Sequence, residues 1–401
     1  MIIGIDASRA NELKKTGTEW YSYHLIQEFK KIADPRDHFI LYSKEALRDG
    51  LEDLPKNFES KVLRWSPKLL WTLVRFSIEM LLHPPDVFFV PAHNLPIIHP
   101  KNTIATLHDI GFERFKELYS TDPIGYRARW TKKLLRGAVR LLTFGRYGNN
   151  ELDYQSWSAR FMLRRAKKII TISEFTKREI LDVFHTSPSQ IKVIPNGYDH
   201  TRYHENLNSQ KTREVLDRYH IPQPYLFYIG RLERKKNIAG LIDAFALFKR
   251  HSQLPHKLVL LGFQGYGFSE IQEKIHRQNL ESEVFMPGYI PEEDIPMLYR
   301  GSDLFVFPSF YEGFGIPLLQ AMACGVPILA ARAGAIPEVV RNAAILVEPS
   351  DIGMMAEEME RVLKDPALRM RLRGMGLERV HAFSWQLTAR QTLDFIRSVF
   401  A

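Results

Sequence analysis

Cysteine is nearly missing from this chain of 401 residues, in which Cys324 is the single example. One cysteine cannot form an internal disulfide, and its place in an Ala-Cys-Gly segment at the end of an expected helix indicates an inert packed thiol rather than a nucleophile. Long uncharged apolar runs are missing as well. The nearest run, residues 69–82, contains Arg75 and Glu79, so it falls short of the roughly 18 apolar residues of a membrane-spanning helix.

Two further patterns are missing. Residues 1–6 lack the basic start and the long apolar region of a signal peptide, and they indicate a first β-strand instead. The chain has neither an Asp-x-Asp motif nor a cluster of His and Cys residues at metal-ligand spacing. We therefore expect a cytoplasmic protein that uses no metal and no other cofactor.

The net charge of +9 is concentrated in one part of the chain. Residues 123–172 contain twelve Lys or Arg against Glu151 and Asp153, a balance of +10, so the remainder is close to neutral. Apolar residues such as Trp130 lie between these cations, as on a basic amphipathic face that contacts anionic lipid. A solvated helix face packed on its own domain fits the same pattern. Nucleic acid is disfavoured because no groove-reading motif accompanies the charge, and no feature indicates an oligomeric state.

Strand and helix signals alternate along the chain, which is the pattern of parallel sheets covered by helices and predicts an α/β fold. Two series of strands are predicted, and each is expected to form one doubly wound, Rossmann-like half. The first series covers residues 2–6, 38–42, 86–90, 102–107, 168–172 and 191–194, and the second covers 225–229, 257–261, 284–286, 304–307, 327–330 and 344–347.

The boundary between the halves is predicted near residues 200–222, in a stretch that is rich in turn formers and poor in apolar periodicity. We accordingly predict an N-terminal domain over residues 1–205 and a C-terminal domain over residues 206–383. After residue 351 the chain is expected to be helical to its end.

The most informative segment covers residues 308–327 and indicates a turn, a helix and a further strand after the apolar run 304–307. Two glycines allow a sharp turn before a helix that can begin at Pro317. Such a helix N-terminus binds phosphate, because free amides donate to it and the macrodipole favours an anion. With Glu312 beside a bound diphosphate, the spacing predicts a nucleotide-sugar site.

This segment resembles the donor-site signature of the retaining glycosyltransferases of family four, in particular mannosyltransferase-like members, which share the two-domain GT-B fold. At least six segments of the chain keep the family's order. The resemblance implies two Rossmann-like domains facing a central cleft, with the last helix, about residues 384–401, crossing back onto the first domain. It also implies substrate contacts along the signature, at Gly313, Phe314, Gly315, Ile316, Pro317, Leu319 and Gln320.

Gln320 departs from the family pattern, in which a second Glu follows Glu312 at this spacing. In the family that carboxylate accepts hydrogen bonds from both ribose hydroxyls, whereas an amide offers one acceptor and one donor group. A lower donor affinity or a rearranged ribose contact is therefore expected, with a degenerate, inactive homologue as the alternative.

A basic segment, residues 230–237, follows the first strand of the second half, at the end of the strand where open α/β sheets bind ligands. Taken alone, such a loop is usually just solvated. In the family a Gly-Arg-Leu segment followed by a Lys holds the donor diphosphate, and Arg231 and Lys236 match those positions. The resemblance implies that both cations stabilise the charge that develops on the leaving diphosphate.

Three residues of the N-terminal half are further candidates. The family has a His at the sugar, so the resemblance implies that His108 donates to a sugar hydroxyl or orients the acceptor. Asp109 could accept the acceptor's proton, although capping of the following turn is the interpretation that we favour. Gly17 remains from a Gly-rich loop that touches the diphosphate or the acceptor in the family, and a plain strand-to-helix turn stays equally open.

The resemblance as a whole implies a retaining, metal-independent glycosyltransferase in which Glu312 and His108 position the sugar. It would move a hexose, with mannose favoured, from a nucleoside-diphosphate sugar to a glycan or polyprenyl-linked acceptor in the biosynthesis of a cell-surface polysaccharide such as lipopolysaccharide. Residues 123–172 would then contact the inner face of the cytoplasmic membrane. Two alternatives remain open: a GT-B sugar-nucleotide epimerase, which needs no acceptor, and a non-catalytic GT-B scaffold.

Overall fold

The computed structural model describes residues 1–65, 70–119 and 151–400. These residues form two compact units, of which the first contains residues 1–196 together with 385–401 and the second contains residues 197–384. Each unit is built on one β-sheet whose strands all pair in parallel. The predicted α/β fold with two Rossmann-like halves is confirmed.

The first unit has a seven-stranded sheet in the order β3-β2-β1-β4-β5-β6-β7. Its strands are β1 (Ile2–Asp6), β2 (His38–Ser43), β3 (Phe58–Val62), β4 (Val87–Val90), β5 (Thr103–Leu107), β6 (Lys168–Thr171) and β7 (Ile191–Val193). Its α-helices are α1 (Gly17–Ile32), α2 (Phe76–Leu82), α3 (Gly111–Arg114), α4 (Glu151–Arg165) and α5 (Glu174–Phe184). A π-helical turn (Trp71–Arg75) and two 3-10 turns (Lys116–Leu118 and Pro188–Gln190) complete it.

The second unit has a six-stranded sheet in the order β10-β9-β8-β11-β12-β13. Its strands are β8 (Tyr225–Ile229), β9 (Lys257–Leu261), β10 (Val284–Phe285), β11 (Leu304–Phe307), β12 (Ile328–Ala331) and β13 (Ile345–Val347). Its α-helices are α6 (Ser209–Arg218), α7 (Ile238–His251), α8 (Phe268–Arg277), α9 (Ile295–Gly301), α10 (Ile316–Ala323), α11 (Ile336–Val340), α12 (Ile352–Lys364) and α13 (Pro366–Val380). A 3-10 turn (Arg234–Lys236) follows β8.

The central strands are buried on both faces, and their sequences are therefore continuous apolar runs. Every residue of β4 and of β11 is buried. Each large apolar side chain removed from water stabilises the fold by about 1.5–3 kcal/mol. In both sheets the strand order reverses between two neighbours, β1 and β4 in the first and β8 and β11 in the second. Ligands of open α/β sheets bind outside the carboxyl ends of strands at such a reversal.

The last helix, α14 (Trp385–Phe400), belongs to the first unit, although the chain enters it from the second. The ring of Trp385 stacks on His24 of α1, with centroids 5.0 Å apart. Thr388 donates a hydrogen bond from Oγ1 to the carbonyl oxygen of Pro195 at 2.8 Å. The prediction that the final helix crosses back onto the first domain is confirmed.

The chain passes from one unit to the other after Asn196, earlier than the predicted boundary at residue 205. Residues 197–208 pack on the second unit. Tyr203 is buried edge-on against Tyr299, with ring centroids 6.0 Å apart, and the Glu205 carboxylate pairs with Arg373 at 2.9 Å. The polar, turn-rich segment is thus anchored by side chains whose partners are distant in sequence.

The twelve predicted strands are all present, with ends within one residue of the prediction, and β3 is an additional strand. β3 lies at the edge of its sheet and pairs with β2. Of its five residues only Phe58 is buried. An edge strand that covers so little of the core has no apolar run, which is why the sequence pattern did not indicate it.

Within residues 1–65, 70–119 and 151–400, no helix is both long and apolar enough to cross a membrane. Residues 123–150, which carry seven of the twelve cations of the basic stretch, lie outside the described residues. The membrane contact of that stretch stays a prediction.

Candidate active site

Helix α10 begins where the chain turns away from the end of β11. Gly315 precedes the helix at a φ of +101°, a left-handed conformation that favours glycine, and a Cβ atom there would lie 2.8 Å from Cδ1 of Leu318. Pro317 in the first turn has no N–H group to leave unsatisfied. The amides of Gly315 and Ile316 form no backbone hydrogen bond among the described residues. They are available to an anion, which the helix dipole also favours.

Glu312 lies just before this turn and forms a direct ion pair with Lys236. Nζ of Lys236 donates to Oε1 of Glu312 at 2.6 Å, and Oγ of Ser309 donates to the same oxygen at 2.7 Å. The side chains of Glu312 and Lys236 are 10% and 16% exposed, so water screens the pair weakly. The structure thus brings together two residues that the sequence singled out and adds Ser309 as their support.

Neighbouring loops fix the backbone on both sides of this ion pair. Gly334 has a φ of +59°, and a Cβ atom there would lie 2.5 Å from the carbonyl oxygen of Glu312, so only glycine allows this close approach. The amide of Ala335 donates to that same oxygen at 2.9 Å. On the lysine side, Nδ2 of Asn237 donates to the carbonyl of Pro308 at 3.2 Å. The two charged side chains are therefore positioned by a rigid frame.

Arg231 follows β8 and lies in a more open environment. Its guanidinium pairs with the Glu233 carboxylate at 3.3 Å, and its side chain is 59% exposed. The loop that carries it touches the turn after β9, because Gly230 and Gly262 both have a φ of +150° and a Cβ atom on Gly262 would lie 1.8 Å from the Gly230 carbonyl oxygen. Arg231 is thus a solvent-facing cation on a closely packed loop beside β11, the neighbour of β8.

Gln320 is half-buried, and its amide oxygen is engaged within the protein. The hydroxyl of Tyr299 donates to Oε1 of Gln320 at 3.1 Å and lies 3.2 Å from the carbonyl oxygen of Pro317. Burial raises the pKa of Tyr299 well above its ordinary value, so the phenol stays protonated and remains a donor. The Nε2 group of Gln320, a donor, is the part left to contact a ligand.

The other residues of the signature divide between the helix terminus and the core. Ile316 and Pro317 are half-buried at the start of α10, whereas Gly313 and Phe314 are buried in the turn. Leu319 is fully buried. The helical period turns its side chain towards the core, and a substrate contact at Leu319 stays a prediction.

In the first unit, His108 follows β5 and is held by two contacts. Its Nε2 lies 3.1 Å from the carbonyl oxygen of Pro91, and its ring packs edge-on against Tyr21 with centroids 4.7 Å apart. Burial lowers the pKa of His108, so the ring is neutral near pH 7 and Nε2 carries the proton that Pro91 accepts. The remaining nitrogen, Nδ1, is then an acceptor, and the role of His108 at the sugar or the acceptor stays a prediction.

Asp109 and Gly17 both have local structural roles. Oδ1 of Asp109 accepts from the amide of Gly111 at 3.1 Å, at the first residue of α3, as the capping interpretation predicted. Gly17 is the first residue of α1, where the amide of the N-cap residue Thr16 donates to Oε2 of Glu19 at 3.1 Å. A Cβ atom on Gly17 would meet open space among the described residues. Nothing among the described residues requires glycine at this position, and a ligand contact of Gly17 stays a prediction.

Arg9 and His93 are two polar residues that the sequence analysis did not single out. Arg9 comes three residues after the end of β1, and His93 comes three residues after the end of its neighbour β4. Burial and then the charge of Arg9 lower the pKa of His93 to about 4. Their equal offset from two adjacent strand ends was the signal that could have identified them.

Candidate metal ligands and the single cysteine were located in the described part of the chain. No group of three or more His, Cys, Asp or Glu side chains there is arranged to hold a metal ion. Cys324 is fully buried, and burial raises the pKa of its thiol. It lacks the exposure and the thiolate character of a reactive cysteine, as its position at the end of α10 predicted.

Known protein families match the two units separately. Residues 16–202 match the family described as Glycosyltransferase Family 4. Residues 213–378 match the family described as Glycosyl transferases group 1. Both matches follow the division of the structure closely.

Two relatives and one solved structure show how far the similarity extends. The O-antigen chain mannosyltransferase B of Escherichia coli is 29% identical over 401 residues, which cover 94% of this chain and 95% of the relative. The serotype-specific mannosyltransferase WbdA of Escherichia coli is 26% identical over 307 residues, which cover 76% of this chain and 34% of the relative. The structure of sucrose-phosphate synthase from Thermosynechococcus elongatus is 20% identical and superposes with a TM-score of 0.72, over 100% of this chain and 99% of that one. The expected GT-B fold is confirmed.

Proposed function

The chain belongs to the glycosyltransferases of family four and group 1, and we propose that it transfers a hexose from a nucleoside-diphosphate sugar to a hydroxyl group of a glycan or lipid-linked saccharide. The observation that carries this proposal is the ion pair of Lys236 and Glu312 beside the N-terminus of α10. The loops after β8 and β11 supply the ammonium of Lys236, the carboxylate of Glu312 and the unpaired amides at the start of α10. Such a combination suits a ligand with an anionic diphosphate at one end and sugar hydroxyls at the other.

The donor diphosphate is assigned to the amides of Gly315 and Ile316 and to the cations of Arg231 and Lys236. The helix dipole and the amides are fixed before the ligand arrives, so they need no reorganisation when charge develops on the leaving group. When the diphosphate binds, the ammonium of Lys236 can exchange its contact with Glu312 for a phosphate oxygen. The freed Oε1 of Glu312 then accepts a hydrogen bond from a sugar hydroxyl.

The reaction is proposed to retain the configuration of the sugar and to need no metal. The bond between C1 of the sugar and the phosphate oxygen breaks, and the acceptor oxygen forms its bond to C1 on the same face. The proton of the acceptor hydroxyl passes to the departing phosphate oxygen. Arg231 and Lys236 take over the charge stabilisation that a metal ion provides in other transferases.

Mannose is the favoured hexose, with a guanosine donor, because both curated relatives described above are mannosyltransferases. The similarity to O-antigen chain mannosyltransferase B, which extends over nearly the whole chain, also supports a role in O-antigen, and hence lipopolysaccharide, biosynthesis. In such a role the enzyme would work on the cytoplasmic side of the membrane, with residues 123–172 in contact with anionic lipid. Vesicle sedimentation tests this contact. Binding that depends neither on the anionic lipid content of the vesicles nor on the salt concentration would contradict the contact and would leave the enzyme proposal unaffected.

The transferase proposal is tested by product analysis. The protein is incubated with GDP-mannose and a synthetic octyl mannoside, with and without a chelator, and the products are separated and examined by NMR. The expected result is a disaccharide with an α linkage, formed equally with the chelator. A modified sugar nucleotide without acceptor use would indicate an epimerase instead. Donor binding without turnover, with GDP, UDP or dTDP sugars alike, would indicate a scaffold.

A further inference from the structure

The ring of His108 is packed into a group of aromatic side chains in the first unit. Tyr21 of α1 lies edge-on against it, with ring centroids 4.7 Å apart and ring planes at 87°. The Tyr21 ring also lies 6.1 Å from the ring of Trp385, the first residue of α14. We propose that Tyr21 and Trp385 are positioning residues, which hold the His108 ring in the orientation that sugar transfer requires. The link to sugar transfer rests on the proposed function.

A single hydrogen bond would leave the His108 ring free to pivot. Nε2 lies 3.1 Å from the carbonyl oxygen of Pro91, and this is the only hydrogen bond of the ring among residues 1–65, 70–119 and 151–400. A ring that is held at one atom can still rotate about that contact. Edge-on packing against Tyr21 restricts the rotation, because aromatic pairs prefer this arrangement and protein interiors are closely packed. The plane of the ring is therefore set by Tyr21 as well as by Pro91.

Tyr21 is itself fixed to the strand that leads to His108. Its hydroxyl group lies 3.2 Å from Oγ1 of Thr106 in β5, and its side chain is fully buried. Burial raises the pKa of Tyr21, so the hydroxyl group keeps its proton. One side chain of α1 thus contacts β5 at Thr106 and the His108 ring just beyond the end of that strand. A buried ring with two such contacts has a defined orientation.

Trp385 supports Tyr21 where α14 begins. Tyr21 and His24 are three residues apart, so they lie on the same face of α1. The ring of Trp385 is stacked on His24, with planes 12° apart, and lies edge-on to Tyr21 at 67°. Trp385 is buried and directly follows residue 384, the last residue of the second unit. The orientation of His108 therefore depends on how the crossing helix packs on α1.

The consequence for the reaction lies at Nδ1 of His108. Burial lowers the pKa of the ring, so the ring is neutral near pH 7 and Nε2 carries the proton that Pro91 accepts. Nδ1 has no hydrogen bond within the described part of the chain and is not one of its buried unpaired atoms, so it is open to a ligand. As an acceptor, Nδ1 would bind a hydroxyl group of a substrate. A misplacement of about 1 Å can lower a rate by about 100-fold, so the orientation of this ring matters.

The kinetic test compares leucine and phenylalanine at both positions, with GDP-mannose as donor and octyl mannoside as acceptor. Tyr21→Leu and Trp385→Leu remove the aromatic contacts, so we expect kcat/KM for transfer to fall by about tenfold or more. Tyr21→Phe and Trp385→Phe keep an aromatic ring and should recover most of this loss. Phe58→Leu is the control, because that buried ring stacks on Phe39 of the same unit with centroids 4.4 Å apart. It should lower the urea midpoint and leave kcat/KM within about twofold.

A spectroscopic measurement reports on the His108 ring directly. In protein with isotopically labelled histidine, the NMR shifts of the two ring nitrogens differ when one tautomer predominates, and His108→Gln assigns the signals. We expect the tautomer with the proton on Nε2 in the wild type and in the phenylalanine variants. The leucine variants should show averaged shifts, whereas Phe58→Leu should not. A mixture of tautomers in the wild type would overturn the proposal even if the leucine variants do not fold.

Leucine variants that lose stability as Phe58→Leu does, but keep the His108 shifts and kcat/KM, would reduce the aromatic group to a packed core and overturn the proposal. Altered shifts with an unaltered kcat/KM would also overturn it, because the orientation of the ring would then not matter for transfer. A wild type that transfers no sugar from GDP, UDP or dTDP donors would refute the proposed function. The shifts would in that case still decide whether Tyr21 and Trp385 hold the ring.

Discussion

The hydroxyl group of Tyr299 donates a hydrogen bond to Oε1 of Gln320 at 3.1 Å, from a fully buried ring on α9. Position 320 is where the family resemblance implies a carboxylate that accepts from both ribose hydroxyls. Because Tyr299 occupies the amide oxygen, the side chain presents Nε2 to a ligand instead of two acceptors. The altered residue is therefore ordered in one orientation, and its consequence for donor binding can be measured.

Gln320→Glu should tighten nucleotide binding. One carboxylate oxygen keeps the bond from Tyr299, and the other becomes an acceptor for a ribose hydroxyl, so we expect Kd for GDP to fall by about tenfold. Isothermal titration calorimetry measures this change. Gln210→Glu, an equal charge change at an exposed site on α6, is the control and should leave Kd unaltered. Equal or weaker binding by the Gln320 variant would refute the proposed ribose contact.

Glu312→Gln should lower turnover far more than it disturbs folding. The amide keeps the shape of the side chain but loses the charge that binds Lys236, so we expect kcat to fall by about 100-fold or more. The midpoint of thermal unfolding should change by no more than about 4 °C. Glu281→Gln, at a carboxylate with a 56% exposed side chain in the same unit, serves as the matched control. Full activity of the Glu312 variant would remove this residue from the mechanism.

Arg231→Ala should weaken transfer without a cost in stability. The side chain is 59% exposed and its ion pair with Glu233 is solvated, so its loss changes the free energy of unfolding by less than about 1 kcal/mol. Steady-state kinetics should show kcat/KM for the donor reduced by about tenfold or more, because a cation at the diphosphate is lost. Arg277→Ala, at a side chain that is 73% exposed, should have no such effect. Undiminished transfer would count against the assigned diphosphate site.

Gly334→Ala should destabilise the second unit. A Cβ atom there would lie 2.5 Å from the carbonyl oxygen of Glu312, and the backbone has a φ of +59°, so strain and a clash together should cost about 2–3 kcal/mol. Gly374→Ala is the control, because that glycine lies in α13 with open space around it. There Ala should stabilise by about 0.5–1 kcal/mol. Urea unfolding measures both, and equal midpoints for the two variants would contradict the close approach.

His93 should make the protein less stable in mild acid. Burial and the charge of Arg9 lower its pKa from 6.5 to about 4 in the folded state. As the pH falls from 6.5 towards 4, the unfolded chain therefore binds a proton that the folded chain does not, and the free energy of unfolding decreases. At about 1.4 kcal/mol for each pKa unit, the loss is at most about 3.5 kcal/mol. Urea unfolding at several pH values in this window gives the free energy of unfolding as a function of pH. This free energy should fall less steeply with decreasing pH in His93→Asn than in the wild type. An identical pH dependence of the two proteins would refute the assignment.

Strand positions could be predicted because a parallel strand buried on both faces is a continuous apolar run. Val87–Val90 and Leu304–Phe307 are such runs, and their limits can be read from the residues alone. β3 could not be predicted, since an edge strand with one buried residue has no such run. The unit boundary was placed too late because the packing of Tyr203 on Tyr299 depends on a partner far along the chain.

The residue types of the proposed donor site were recognisable from local spacing, because phosphate binding needs glycines, a helix start and nearby cations in a short stretch. The contacts that these groups form with one another could not be predicted from the sequence. Lys236 and Glu312 lie 76 positions apart, and Tyr299 and Gln320 lie 21 apart. Neither contact follows from the pattern around either partner.

The sequence by itself determined the α/β fold, the two series of strands and the family resemblance, since each depends on residues close together along the chain. Tertiary structure alone decided that Lys236 holds Glu312, that His108 presents an acceptor nitrogen, and that Arg9 lies near His93. The physical reason is that strands distant in sequence become neighbours in a parallel sheet. In the second sheet β8 lies beside β11, and in the first β1 lies beside β4, so within each sheet the loops after the two neighbouring strands lie at the same edge.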